Sequence, residues 1–145
     1  MRIVAAMLVA VIWSSACYAD DSYCDNQTIF SSRQEDGSTL SLVLTRTQLS
    51  SSPEWKPGTS EPPLSVAKAV TIGLDWAKKK FSRFDDVRVQ NIDLRPTSCG
   101  RSSNRWYYVV WFSPVVDGET LHTSGHFAAV LMSGELVEPV KGKDF

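Results

Sequence analysis

The clearest pattern of apolar and polar positions lies in the middle of the chain and predicts one amphipathic helix. Ser65 follows two prolines and suits the N-cap position. Over the next twenty residues, apolar side chains recur every three or four positions, at Val66, Val70, Leu74, Ala77, Phe81 and Phe84. This is the period of a helix with one buried face, so we expect residues 66–84 to lie against a core.

Alternation with a period of two predicts strands on both sides of this helix. Before the helix, the leucines of residues 40–44 share one face of a strand. After it, the apolar residues of 87–94 change parity halfway. A change of parity within one strand indicates an inserted residue, so we expect a bulge near Gln90 and Asn91.

The last third of the chain predicts three more strands. One covers residues 106–112, one runs from about 122 to 132, and a short one covers 136–137 after a turn at 133–134. The predicted fold class is therefore α+β, in the order strand, helix, then three or four strands. One long helix would pack on an antiparallel sheet of four or five strands.

Two polar stretches lack a regular apolar period. Residues 20–38 are predicted to form an N-terminal arm, and the proline- and serine-rich residues 48–63 a loop. Neither stretch resembles a linker between two cores. We therefore expect residues 20–145 to form a single domain.

The N-terminus has the features of a secretion signal. Arg2 is the only charge, residues 3–13 are apolar, and small residues lead to Ala19. About eleven apolar residues are too few for a membrane anchor, which needs about 20. Residues 1–19 are thus predicted to be a signal peptide, and the mature protein to be periplasmic or secreted. Acylation of Cys17, as in a lipoprotein, is the less favoured alternative.

The charge balance argues against polyanions as partners. Removal of the signal leaves 126 of the 145 residues, and the loss of Arg2 moves the formal net charge from −1 to −2. Such a chain has no general attraction for nucleic acid or for an anionic membrane.

Two cysteines remain after the signal is removed, Cys24 and Cys99. In an oxidising compartment an even pair is expected to form a disulfide. The closed loop of about 75 residues would contribute on the order of 4 kcal/mol in the chain-entropy model.

Three segments resemble the PepSY pattern: the helix opening at 64–69, the strand at 106–110 and the ending at 129–137. The resemblance implies a helix packed on an antiparallel sheet in the broadly cystatin-like manner. It also implies an exported bacterial protein. PepSY domains are associated with peptidase propeptides and inhibitory or envelope roles, so the resemblance implies binding rather than catalysis.

Catalytic and metal-binding motifs are weak. Ser65 and Lys68 form a Ser-x-x-Lys, but chance supplies about one such motif in a serine-rich chain, and helix capping is the simpler role. On one strand, His122 and His126 would be about 13 Å apart, too far to share an ion. We predict no catalytic residue, no metal site and no cofactor.

The strand at 106–112 is apolar on both faces, and a single helix covers only one. Something must therefore shield Tyr107, Val109 and Trp111. Either the N-terminal residues 20–47 fold across this face, or it is a surface for a partner or for self-association. Trp55, in the proline-rich loop, is a second candidate contact.

Two classes of function follow from these observations. The favoured one is a noncatalytic exported binding module, an inhibitor or immunity-type protein that acts on another envelope or secreted protein. The alternative is a small envelope hydrolase or ligand-handling enzyme. A polar pocket with two or more convergent titratable groups would favour the enzyme, whereas an exposed aromatic sheet face would favour the binding module.

Overall fold

The computed structural model describes residues 26–98, 104–122 and 124–142. The predicted signal peptide (1–19) and the predicted disulfide between Cys24 and Cys99 lie outside the described residues. Within the described ranges the elements are β1 (Gln27–Arg33), β2 (Thr39–Leu44), α1 (Arg46–Ser51), α2 (Val66–Lys80), β3 (Asp86–Pro96), β4 (Trp106–Val116), β5 (Glu119–Thr120), β6 (Phe127–Leu131), β7 (Leu136–Val137) and β8 (Val140–Gly142). None of the described helices is long and apolar enough to cross a membrane.

These elements form three layers, with a large antiparallel sheet in the middle. The large sheet has the order β3-β4-β6-β7, with β5 paired to β4. Helix α2 packs on one of its faces, across β3, β4 and β6. A smaller antiparallel sheet, β1-β2-β8, packs on the other face. The α+β class and the helix on an antiparallel sheet are thus confirmed. The prediction of a single sheet is wrong in one respect, because the strand at 40–44 is β2 of the small sheet and not a member of the sheet under α2.

Strand β1 lies within the segment that was predicted to be an arm, and that part of the prediction is wrong. The strand pairs with β2 along its whole length, with a register shift between Thr28 and Phe30. The shift leaves Ile29 as an extra residue, so Ile29 and Phe30 both pack against the core. Because this bulge breaks the alternation, the sequence does not show a strand period here.

The short helix α1 overlaps the start of the loop that was predicted for residues 48–63, because it ends only at Ser51. The loop is therefore shorter than predicted. Its N-cap is Thr45, whose hydroxyl accepts a hydrogen bond from the Gln48 backbone N–H. The Gln48 side chain accepts one from the Thr45 N–H in return. This capping box holds the turn and directs Leu49 into the core.

Helix α2 confirms the central prediction, with Ser65 as its N-cap. It ends at Lys80 rather than at residue 84. The helix lies close to the large sheet at Gly73. A Cβ at that position would lie 3.1 Å from Cζ of Phe112, so the absence of a side chain permits the close approach.

The predicted bulge in β3 is confirmed, since the register with β4 shifts between Val89 and Asn91. Strand β4 is longer than predicted and continues through Pro114 to Val116. It ends at a turn in which Asp117 and Gly118 both have positive φ angles, as a two-residue hairpin requires.

The strand predicted over residues 122–132 is too long at its start. Strands β5 and β6 both pair with the same side of β4. In the connection between them, Leu121 and His126 still hydrogen-bond to the β4 backbone, whereas His122, Ser124 and Gly125 are not part of the sheet. The predicted turn at 133–134 and the short strand β7 are confirmed. We call the connection between β5 and β6 the excursion; its residues 124–126 form one wall of a groove.

Candidate functional site

The face of β4 that carries Tyr107, Val109 and Trp111 is covered by the small sheet. Tyr107 is 2% exposed and Val109 is 0% exposed. Both belong to a core cluster with Leu42 and Leu44 of β2. Of the two alternatives for this face, coverage by the N-terminal segment is the one observed, and the face is not open to a partner in this conformation.

Trp111 lies near the side of the molecule where β1 and β3 form the edges of the two sheets. Its ring contacts Phe30 edge to face, with centroids 5.3 Å apart, and its indole N–H donates to Asp93 at 3.3 Å. Arg95 pairs with Asp93 and stacks over Phe30. These contacts join the edges of the two sheets and leave Trp111 half-buried.

Partial burial raises the pKa of the Asp93 carboxyl, but three hydrogen bonds outweigh it. Asn91, Arg95 and Trp111 all donate to this carboxylate, so its pKa lies below the ordinary 3.8. The carboxylate is therefore ionised and accepts three hydrogen bonds, which suits a structural role.

Trp55 packs within its own part of the structure. Its ring contacts Trp106 edge to face, at 5.8 Å between centroids, and its indole N–H donates to the Ser60 carbonyl. The residue is half-buried. The first role of this side chain is thus to fix the proline-rich loop against β4.

A polar groove of about 350 Å³ opens at one end of the sandwich. Three separate segments form it: the turn between β1 and β2 with the start of β2, residues 124–126 of the excursion, and strand β8. Its lining residues are Gln34, Glu35, Asp36, Ser38, Leu40, Ser124, Gly125, His126 and Lys141. Its size lies within the range of small-ligand sites in proteins.

Contacts between the segments fix the walls of this groove. The Ser32 hydroxyl donates to the Ser124 carbonyl at 3.1 Å. The side chain of Gln34 lies against the backbone of Gly125. A Cβ added at Gly125 would collide with the Oε1 atom of Gln34. Lys141 of β8 pairs with Asp36 of the turn at 2.8 Å. The turn is therefore tied to both of the other segments.

Asp36, one of the two acidic side chains in the groove, is held in its ionised form. Asp36 accepts hydrogen bonds from the Lys141 ammonium and from the hydroxyl and backbone N–H of Ser38. The hydrogen bond from Lys141 is the largest cause that lowers the pKa of Asp36 far below 3.8. This carboxyl cannot donate a proton near neutral pH.

The surroundings of His126 favour the neutral form of its side chain. The ring of His126 contacts Phe81 and Phe84, with centroids 4.6 and 5.8 Å away. Burial lowers the pKa of His126 below 6.5, and the charge of Arg83 lowers it further. The neutral imidazole therefore predominates at pH 7.

The weaker sequence motifs have structural roles here. The Ser65 hydroxyl accepts from the Lys68 backbone N–H, as a helix cap does. His122 is exposed, while His126 is half-buried, and both lie in the excursion rather than on a strand. In the described ranges no three His, Cys, Asp or Glu side chains form a group that could hold a metal ion.

Sequence reasoning missed the groove because its members are distant along the chain. The turn signal Glu35, Asp36, Gly37 was visible, but nothing local places Lys141 beside it. Only the pairing of β8 with β2 brings Lys141 opposite Leu40 and next to the turn. Comparisons of this chain with family models, with curated proteins and with solved structures find no match.

Proposed function

We propose that this chain is a noncatalytic exported binding module that holds another envelope or secreted protein at the polar groove. The observation that carries this proposal is the construction of the groove from three segments fixed to one another. Loops held by a rigid sheet scaffold commonly carry binding sites. Because the walls are already tied together, less ordering is needed when a partner binds.

The ionised state of Asp36 favours binding over general acid–base catalysis by this residue. General acid–base catalysis works best with a group whose pKa is near the operating pH. Asp36 is ionised far below that range, and its charge is already paired with Lys141. Asp36 and Lys141 thus hold two walls of the groove together.

The PepSY resemblance and the signal sequence support the same proposal from the sequence side. The resemblance implies a helix packed on an antiparallel sheet, and α2 lies on the large sheet in this way. An inhibitor or immunity-type role outside the cytosol is the corresponding function. The partner would then be another exported protein.

Two observations favour the enzyme alternative. Four titratable side chains line the groove, which meets the criterion of convergent groups, and the aromatic face is covered. A hydrolase would use His126, the neutral base among them, with a serine of the groove wall. Turnover of a small ester or peptide that disappears in His126→Gln would support this alternative.

Site-specific crosslinking tests the binding proposal. A photo-crosslinking amino acid in place of Ser124 lies at the groove, and the same amino acid in place of Ala67 lies on the exposed face of α2. We expect one discrete protein adduct in the native exported fraction from position 124 and none from position 67. The same adducts from both positions, or none from either, would overturn the proposal.

A further inference from the structure

The charges of the groove do not cancel, and the excess is negative. Asp36 and Lys141 neutralise each other at 2.8 Å, and the neutral form of His126 predominates at pH 7 because burial lowers its pKa. The remaining titratable side chain is Glu35, which has no ion-pair partner in the described part of the chain. The groove therefore has a net charge of −1.

The position of Glu35 suits a counter-ion for an incoming group. It lies in the turn between β1 and β2, and the next residue, Asp36, anchors that turn to Lys141. The turn is also closed by two backbone hydrogen bonds, from Gln34 N–H to the Ser38 carbonyl and from Gly37 N–H to the Gln34 carbonyl. The backbone that carries this carboxylate is thus fixed, while the side chain is exposed.

The groove also has an apolar part beside its charge. Leu40, at the start of β2, lines it and packs against the core below. The Ser38 and Ser124 residues add polar groups to the walls. A ligand that fits this arrangement has an aliphatic stem and a positive end, as long basic side chains do.

We propose that the groove binds a lysine or arginine side chain of the partner, with Glu35 as its counter-ion and Leu40 against its aliphatic stem. This inference rests on the proposed function and names what the partner presents to the site. A basic residue in an exposed loop of the partner meets these requirements.

Titration of the ¹⁵N-labelled protein with short peptides tests this inference. The probes are acetylated Ala-Lys-Ala and Ala-Arg-Ala amides, with norleucine in place of lysine as the uncharged control. We expect the basic peptides to shift the backbone amide signals of Glu35, Ser38 and Gly125. The norleucine peptide, which keeps the stem but lacks the charge, should bind at least about threefold more weakly.

Two variants with the same change of charge complete the test. Glu35→Gln should weaken binding of the basic peptides at least about threefold, because the exposed ion pair is lost. Asp75→Asn, on the exposed face of α2, should leave it unchanged. Equal binding of the norleucine peptide, or an unchanged affinity in Glu35→Gln, would overturn the inference.

The outcome also separates this inference from the proposed function. A crosslinked partner at position 124 without any binding of basic peptides would overturn the inference and leave the binding module in place. Binding of basic peptides that depends on Glu35, without any crosslinked partner, would support the cation site and overturn the proposed function.

Discussion

His126 connects two parts of the molecule at the scale of a single residue. Its ring lies against Phe81 and Phe84 at the end of the helix layer, while the residue also lines the groove. The charged groups around it are Arg83 on the helix side and Glu35, Asp36 and Lys141 on the groove side. A change of its charge therefore affects both packing and the site.

The stability of the protein should fall as the pH is lowered from 7 toward 5. Burial lowers the pKa of His126 in the folded state below 6.5, whereas an unfolded chain leaves it near 6.5. The unfolded state therefore binds more protons across this window, and the free energy of unfolding decreases as the pH falls. Urea unfolding at a series of pH values measures this slope.

The two histidines provide a matched pair of variants for this measurement. His126→Gln should reduce the slope between pH 5 and 7, whereas His122→Gln, at an exposed position, should leave it as in the wild type. If the free energy of unfolding of His126→Gln depends on pH as steeply as that of the wild type, a group other than His126 causes the slope.

At the scale of elements, helix α2 depends on a close approach to the large sheet. Gly73→Leu would place a side chain where Cζ of Phe112 lies 3.1 Å and Cβ of Val110 lies 3.4 Å from a Cβ. Both residues are fully buried, so they have little room to move. We expect a loss of about 3 kcal/mol or more, at the upper end of the usual cost of overpacking.

Ala67→Leu is the control for this variant, because it adds a leucine to the same helix at an exposed position. It should change the free energy of unfolding by no more than about 0.5 kcal/mol. Thermal or urea unfolding of both variants gives the comparison. Equal stabilities would mean that the helix does not lie against the sheet at Gly73.

The same scale shows what local sequence patterns predict and what they do not. The helix with its Ser65 cap, the strand of residues 40–44 and the bulge in β3 have strong local signals, and the structure has all three. Strand β1 does not, because its bulge at Ile29 breaks the alternation. The groove could not be predicted, since its walls meet only through sheet pairing.

At the scale of the whole molecule, the sandwich is closed on one side by the chain itself. Strands β7 and β8 lie at the edges of different sheets and are joined by Glu138 and Pro139 alone. On the opposite side, β1 and β3 have no such connection. There the side chain of Gln27 donates a hydrogen bond to the hydroxyl of Ser98. Gln27 and Ser98 are near neighbours in sequence of Cys24 and Cys99, the cysteines of the predicted disulfide.

We predict that a disulfide between Cys24 and Cys99 holds the two sheets together on this side. In the exported protein we expect both thiols to react with an alkylating agent only after reduction. Cys24→Ser and Cys99→Ser should each destabilise the protein by roughly 4 kcal/mol, the chain-entropy value for a loop of this length. The double variant should be no less stable than either single variant. Free thiols in the unreduced exported protein would show that the bridge is absent.

The central claim is that the small sheet lies on the large one, since this packing both covers the aromatic face and forms the groove. Phe30 of β1 gives the most direct test, because its ring centroid lies 5.3 Å from that of Trp111 and 5.1 Å from that of Phe127. In a nuclear Overhauser spectrum of the folded protein we predict cross-peaks from the Phe30 ring protons to the ring protons of both residues. Absence of these cross-peaks, together with Phe30 ring chemical shifts typical of a solvent-exposed side chain, would contradict this packing.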